Sequence, residues 1–379
     1  MKPLKVIWGE LSRPLPDGGS GSHDPQPSIS AKQQHELSRM LQKSDFFYRA
    51  EGRANAVFSI KESGRDPTVP RGYFRGTLLR VPKATPNVTP CNYETLHDFQ
   101  EKIVDVHVGR QHIVPQILVS ITPGVANSLN ARRESALRVR GVRGDQSTIL
   151  AGFAMLVEDM GPSPDYAALE FKPKWLAQSP MAPKDATRCR TCAREALRND
   201  ERRKKGMKIS TPVCPLGLLH PERAVFMSTL DRLAPQWSER DRIRLADAIK
   251  DSGVLERLKD LQVEGDSADA LFARPSDPRF GLSMTLRDCS CFVRMPFDPD
   301  APVIIKLADV DKKNWREKQT YWQQRHNELV NNGWLRGQDA DTPPLAELPP
   351  IETACVLRLD HCLKNGLEIP LPFRARLGR

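Results

Sequence analysis

Long apolar runs are missing from this chain. The longest, ILAGFAMLV from Ile149 to Val157, is about half of the roughly 18 residues a membrane-spanning helix needs. No membrane partner is therefore expected. The first residues, MKPLKVIWGELSR, lack an apolar stretch of signal-peptide length. Cysteine is too scarce, at 8 in 379 residues, for a disulfide scaffold. A reducing compartment, cytoplasm or nucleus, is expected. Aromatic residues are few, at 6%, which leaves little for stacking nucleobases. There is no G-x-x-x-x-G-K-[ST] loop, and G-x-G-x-x-G, H-R-D and D-F-G are absent too. These gaps exclude a P-loop enzyme and a protein kinase of the usual kind, so any nucleotide site must be of another type.

Positive charge is plentiful. The net charge is +10 and the pI about 9.3, which points to a polyanionic partner. The charge is concentrated. RRESALRVRGVR, Arg132 to Arg143, carries five arginines and one glutamate, and Lys184 to Lys208 carries ten basic and four acidic residues. These two stretches hold as much charge as the whole chain, and the remainder is neutral on balance.

Patterning predicts an α+β protein with a strand-rich first third and a mixed second part, arranged as two lobes with a cleft between them. Residues 1–45 read as an N-terminal extension with a flexible linker at Gly18 to Ser30, and folded sequence is expected to resume near Asp45. Phe46 to Ile60 reads as two strands around a Gly52 turn, and Gly72 to Lys83 as a third strand. YETLHDFQEKIVDVH reads as a helix, and Ile113 to Ile121 and Ser147 to Asp159 as buried strands. Helices are predicted after Pro221, over Ser238 to Leu261, and over Lys313 to Asn331. EGDSADALFARPSDPRFG and residues 336–352 read as loops, and LSMTLRDCSCFVRM and PVIIKLADV as strands.

Four places carry candidate chemistry. In LEFKPKWL, Pro173 stiffens the backbone between Lys172 and Lys174, so an extended conformation would aim both ammonium groups to one side. That is either a solvated strand face or a polyanion site. PVIIKLADVDKK delivers Asp309 and Asp311 at the end of an apolar strand, followed by Lys312 and Lys313. Two carboxylates beside lysines suit Mg²⁺ shared with phosphates, and equally suit the acidic cap of a helix. Asp288, between apolar runs, is a turn residue or a general base. Cys189 and Cys192 stand at C-x-x-C spacing, with Cys214 and His220 further on. They are candidate zinc ligands, with free thiols as the alternative.

The blocks YRAEGRANAVFSI, LLRVPK, LEFKPKWL, RCRTCARE, CPLGLL, MTLRDCSCFVR and IKLADVDKK…YW, between Phe46 and Trp322, resemble the inositol-pentakisphosphate 2-kinases, most closely the fungal type. The resemblance implies a kinase-like fold, with a β-rich N-lobe over 46–160 that binds ATP and a larger mixed α/β C-lobe over 161–379 that binds the inositide. The implied reaction moves the ATP γ-phosphoryl group, with Mg²⁺, to the 2-hydroxyl of inositol 1,3,4,5,6-pentakisphosphate and yields the hexakisphosphate, phytate. By resemblance, Arg49, Glu51, Gly52 and Asn55 belong to the loop over the ATP phosphates, and Arg80 reaches those phosphates from the third strand. Glu158 and Asp159 lie near the adenine and ribose. Lys172 faces the transferred phosphate, Asp288 is the base and Asp309 the magnesium ligand, with Asp311 a second candidate. Arg140 or Arg143, Lys174, Arg194, Arg198, Lys313 and Tyr321 are the implied inositide contacts. A monomer in the nucleus or cytoplasm is expected.

The chain departs from the family pattern at Ala50, where glycine is frequent, at Arg194 and Arg198, where histidine and lysine are frequent, and at Gly217, where aspartate is usual. The zinc ligands of plant relatives do not map cleanly. Five phosphates would bring roughly −8 to −10 of charge, which the two basic clusters match in size. Three other readings stay open: a kinase of another inositol phosphate, a relative that binds inositol phosphates without turnover, and a basic nucleic-acid-binding protein with a partial zinc site. The last leaves Asp288 and Asp309 without a role.

Overall fold

Alternating burial along the N-terminal strands builds the first sheet. In the computed structural model, β1 (Ser44–Glu51), β2 (Asn55–Glu62), β3 (Thr77–Pro82), β4 (Gln116–Ile121) and β5 (Gly152–Glu158) form an antiparallel sheet in the order β1-β2-β3-β5-β4. The structure describes residues 2–15, 29–64, 69–84, 92–142, 144–210, 212–266, 271, 278–337 and 355–377. The chain divides into two compact units, Met1–Gly161 and Pro162–Arg379.

In the first unit, Ala56, Phe58, Leu79, Val119 and Leu156 point from the strands into one core. Helices α1 (Leu4–Leu11) and α2 (Ala31–Leu41) fill the same core with Leu4, Ile7, Trp8, Leu37 and Leu41. Folded sequence therefore begins well before Asp45. Full burial of each such side chain contributes about 1.5–3 kcal/mol, so these two helices are structural and not a loose extension. Trp8 Nε1 also donates to Thr77 Oγ1 at 3.1 Å inside the core. The linker expected at Gly18 to Ser30 lies almost wholly outside the described residues. Ser30 itself forms a reciprocal cap with Gln33 at the start of α2. The helix read in YETLHDFQEKIVDVH is α3 (Tyr93–Phe99), which widens into a π-helical segment, Gln100–Gly109. Thr122 and Pro123 start α4 (Pro123–Val139).

The second unit holds a three-stranded antiparallel sheet, β6 (Tyr166–Phe171), β7 (Ser290–Pro296) and β8 (Ile304–Ala308), in that order. Around it are α5 (Arg190–Lys204), α6 (Arg223–Leu233), α7 (Glu239–Ser252), α8 (Val254–Glu264), α9 (Pro278–Leu286), α10 (Trp315–Asn331), α11 (Val356–Lys364) and α12 (Leu371–Leu377). The single helix read over Ser238 to Leu261 is two, because Gly253 takes a left-handed φ of 60° that ends α7 and starts α8. The first residues of LSMTLRDCSCFVRM are helical in α9, and only Ser290 onward is strand. Apolar residues that are continuous rather than alternating suit a buried helix as well as a strand, and here length and packing decided. The loop expected at residues 336–352 lies outside the described residues from 338 on. Among the described residues no helix is long and apolar enough to cross a membrane. Mixed elements, one larger antiparallel sheet and many helices make an α+β fold, as the patterning predicts and as a kinase-like fold requires.

Candidate active site

Sheet register brings the predicted chemistry together. Phe171 pairs with Cys291, and Ser290 with Ala308. The last residue of β6, the first of β7 and the last of β8 therefore lie at one end of the sheet. Lys172, Asp288 and Asp309 are the residues at or just beyond those strand ends, so three segments far apart in sequence open onto one place.

The side chains meet there. Lys172 Nζ donates to the Asp288 carbonyl at 2.8 Å, lies 3.4 Å from Asp309 Oδ2, and is 4.0 Å from Asp288 Oδ1. Lys174 Nζ reaches Asp288 Oδ1 at 3.1 Å and Lys313 Nζ reaches Asp288 Oδ2 at 2.9 Å. Asp288 thus stands among three ammonium groups while 47% of its side chain stays exposed. Burial acts to raise its carboxyl, but the Lys313 hydrogen bond and the charges of Lys313 and Lys174 outweigh it and hold it at about 2. Lys313 is raised: burial acts against its charge, and pairing with Asp288 more than offsets this. The Lys313 N–H donates to Thr285 Oγ1 at 3.2 Å, and Thr285 Oγ1 donates to the Asp311 carbonyl at 3.3 Å, so α9 fixes the segment after β8.

The backbone here is unusual. Lys174 (φ 56°) and Asp309 (φ 57°) are the non-glycine residues with positive φ among the described residues. The extended conformation expected for Lys172 to Lys174 therefore stops before Lys174. Two like charges reach one acceptor because the chain turns, not because a strand places them two apart. A left-handed lysine costs on the order of 1–2 kcal/mol, and such strain persists where surrounding structure over-determines it. The restraint is Gln262 of α8, 1% exposed, whose side-chain amide donates to the Lys174 and Leu286 carbonyls and accepts from the Leu176 N–H at 3.0 Å. No sequence signal marked Gln262, since a glutamine within an amphipathic helix carries no motif.

A second basic group lies on α5 and α10. Arg194 Nη2 donates to Tyr321 Oη at 3.2 Å, and Arg325 stacks over the Tyr321 ring. Arg194 holds the Tyr321 hydroxyl below its ordinary value, chiefly through that hydrogen bond. Arg198, half-exposed, pairs with Glu195 on its own helix. Arg190 is buried against the Trp175 ring, and Arg287, paired with Asp266 at 2.7 Å, lies on the same ring at 3.6 Å. Gly217 answers one departure. A side chain there would collide with Thr229 Oγ1, so Thr229 occupies the room an aspartate would need.

The remaining candidates belong to the first unit. Arg49 interrupts the β1–β2 pairing as a bulge residue, and its carbonyl accepts from Arg140 at 3.3 Å. Arg140 also covers the Tyr48 ring. Gly52 closes the β1–β2 turn, its N–H donating to the Asn55 carbonyl. Open space surrounds the point where a Cβ would sit, so the fold itself does not require glycine there. The Asn55 amide lies between Arg80 and Tyr93, its oxygen accepting from Arg80 at 2.6 Å in the orientation that satisfies both neighbours. Arg80 also lies over the Tyr93 ring. Glu158 ends β5, and Asp159 follows it with its N–H donating to the Gly76 carbonyl. Arg143 lies outside the described residues. Glu51 is engaged in a partly buried ion network that motif reading missed. Lys83 reaches it at 3.2 Å and Asp145 at 2.8 Å, and Arg133 Nη2 reaches Glu51 at 3.0 Å and Asp145 at 2.6 Å. The Arg133 hydrogen bond depresses the Glu51 carboxyl.

Of the expected thiol cluster, Cys189, Cys192 and Cys214 do converge, but His220 does not join them. Its Nδ1 accepts from the Glu222 N–H instead. The fourth member is Cys355, from a part of the chain that offered no spacing signal.

A family model described as inositol-pentakisphosphate 2-kinase matches residues 48–328. A protein of Yarrowia lipolytica named inositol-pentakisphosphate 2-kinase is 30% identical over 202 residues, which cover 48% of this chain and 64% of that protein. One of Candida glabrata with the same name is 27% identical over 177 residues, covering 45% of this chain and 56% of its own length. This chain therefore spans less than two thirds of either relative.

Proposed function

Since this chain belongs to the inositol-pentakisphosphate 2-kinase family, we propose that it transfers the γ-phosphoryl group of ATP to the 2-hydroxyl of inositol 1,3,4,5,6-pentakisphosphate. The observation that carries this reading is the convergence of Lys172, Lys174, Asp288, Asp309 and Lys313 on strained backbone at one end of the β6-β7-β8 sheet. Preorganised charge is most of what phosphoryl transfer asks of a protein.

Asp288 accepts the proton of the attacking hydroxyl. Its depressed carboxyl keeps it ionised and able to do so, although a base held so low is a weak one. Lys174 and Lys313 exchange Asp288 for ring phosphates as the inositide binds, which relaxes that depression and strengthens the base. Arg194, Arg198 and Tyr321 extend the phosphate contacts along α5 and α10. Lys172 faces the phosphoryl group in transit. In the first unit, Arg49, Gly52, Asn55 and Arg80 contact the ATP phosphates, and Glu158 and Asp159 the nucleoside. Glu51 acts through the ion network that holds the hairpin. The site also suits Mg²⁺. The Asp309 carboxylate is a hard donor, 43% exposed, and lies with Asp288 within 4.0 Å of one ammonium. Asp309, with Asp311 as a candidate second ligand, would hold the ion. When bound, it would neutralise charge on the phosphates of ATP.

The test is ATP-dependent conversion of inositol 1,3,4,5,6-pentakisphosphate, with the product mapped by NMR. Lys172→Ala and Asp309→Asn are expected to lose turnover while remaining folded. Full activity in either variant, or phosphorylation of a different hydroxyl, overturns the reading.

A further inference from the structure

Four cysteine sulfurs meet inside the unit Pro162–Arg379, and the proposed phosphoryl transfer uses none of them. Cys189, Cys192, Cys214 and Cys355 are at most 1% exposed, all are free thiols, and their sulfurs lie within 4.8 Å of one another. Cys214 Sγ is 3.9 Å from both Cys189 Sγ and Cys355 Sγ. With Zn–S bonds of about 2.3 Å, the edge of a tetrahedral ZnS₄ unit is about 3.8 Å.

Backbone donors surround these sulfurs. The Cys189 N–H points at Cys355 Sγ at 3.2 Å, the Cys192 N–H at Cys189 Sγ at 3.5 Å, and the Val356 N–H at Cys214 Sγ at 3.5 Å. Cys189 caps the N-terminus of α5 and Cys355 that of α11, so the positive ends of two helices also face the cluster. Thiolate sulfur is a far stronger acceptor than thiol sulfur, so N–H groups aimed at sulfur are the contacts that metal-bound thiolates receive. Several thiolates confined together in an apolar core require a cation between them.

We propose that Cys189, Cys192, Cys214 and Cys355 form a tetrathiolate Zn²⁺ site that fastens the C-terminal helices α11 and α12 to α5. Four soft sulfur ligands in tetrahedral array select zinc over magnesium or calcium. On binding, four Zn–S bonds form and the thiol protons leave to solvent. Cys355 lies outside the residues that match the family model, so the site joins a segment beyond that match to the helix carrying Arg194 and Arg198. Val356, Leu359, Ile369 and Phe373 pack around the sulfurs and complete this small core.

The test is elemental analysis of the full chain purified without chelator, with reconstitution by Zn²⁺ or Co²⁺ alone. One zinc per chain is expected, together with a Co²⁺ spectrum showing thiolate-to-metal charge transfer at tetrahedral intensity. Cys355→Ser and Cys192→Ser should lose the metal, whereas Cys362→Ser, a buried cysteine outside the cluster, should keep it. Should the first two variants fail to fold, hydrogen exchange on the wild-type chain replaces them. Removing zinc with a chelator should then expose α11 and α12 before the β1–β5 sheet. A metal-free wild-type chain that takes up neither ion, an iron–sulfur cluster, or disulfides among these four residues would each overturn the proposal.

Discussion

Gln262 holds Lys174 in place: its buried amide donates to the Lys174 carbonyl at 2.9 Å and so fixes a lysine whose φ is 56°. Gln262 touches none of the candidate reacting groups, yet it sets where one of the three ammonium groups around Asp288 points. Gln262→Leu leaves two carbonyls and one N–H without this partner. It should cost roughly 1–3 kcal/mol per group left unpaired, less wherever water enters. As a positioning residue it should raise KM for the inositide more than it lowers kcat. A uniform loss of active protein, with KM unchanged, would reduce its role to stability alone.

Strain at Lys174 gives a second expectation. Lys174→Gly removes the ammonium and relaxes the left-handed backbone, whereas Lys174→Ala removes the ammonium and keeps the strain. Both should weaken inositide binding alike, but the glycine variant should be the more stable of the two by about 1 kcal/mol. Urea midpoints and kcat/KM on the same preparations would separate the two effects.

The pH dependence follows from Asp288. Its folded carboxyl, at about 2, lies below the ordinary value of about 3.9. Its contribution to stability is therefore complete above the ordinary value and disappears as pH falls through about 2. The stability difference between wild type and Asp288→Asn should shrink over that window. Because almost half of the side chain is exposed, solvent screening makes the contribution modest. A difference that stays constant from pH 5 to about 2 would mean the three lysines do not act on this carboxyl.

The Glu51 network makes a separate claim on the first unit. Lys83 and Arg133 are nearly buried, and Glu51 and Asp145 are the two carboxylates that reach both. Glu51→Gln leaves two buried cations with one carboxylate and should destabilise by about 3–5 kcal/mol. If Glu51 instead served only to meet a ligand, thermal unfolding of the nucleotide-free variant would match wild type.

Much of this is legible in the sequence alone. The basic clusters pointed to a polyanion, and the lysines around Pro173, the aspartates after the apolar strand and Asp288 were each visible as local patterns. The β1–β2 hairpin was visible too, because period-two alternation and a turn are short-range features. The patterns misled where the cause was distant. Residues 282–286 look like strand but coil into α9, and Leu4, Trp8 and Leu37 look peripheral until they fill the core of the first unit.

Local spacing, then, determined which residue types this chain offers for charge and catalysis, since neighbours along a strand or helix face predictable directions. Only the tertiary structure decided which of them meet. Cys355 reaches Cys214 across 141 residues, and Gln262 reaches Lys174 across 88. Such contacts are set by how buried surfaces close long loops. Closing a loop costs entropy that rises only slowly with its length, so the spacing of two residues in the chain says little about whether folding will bring them together.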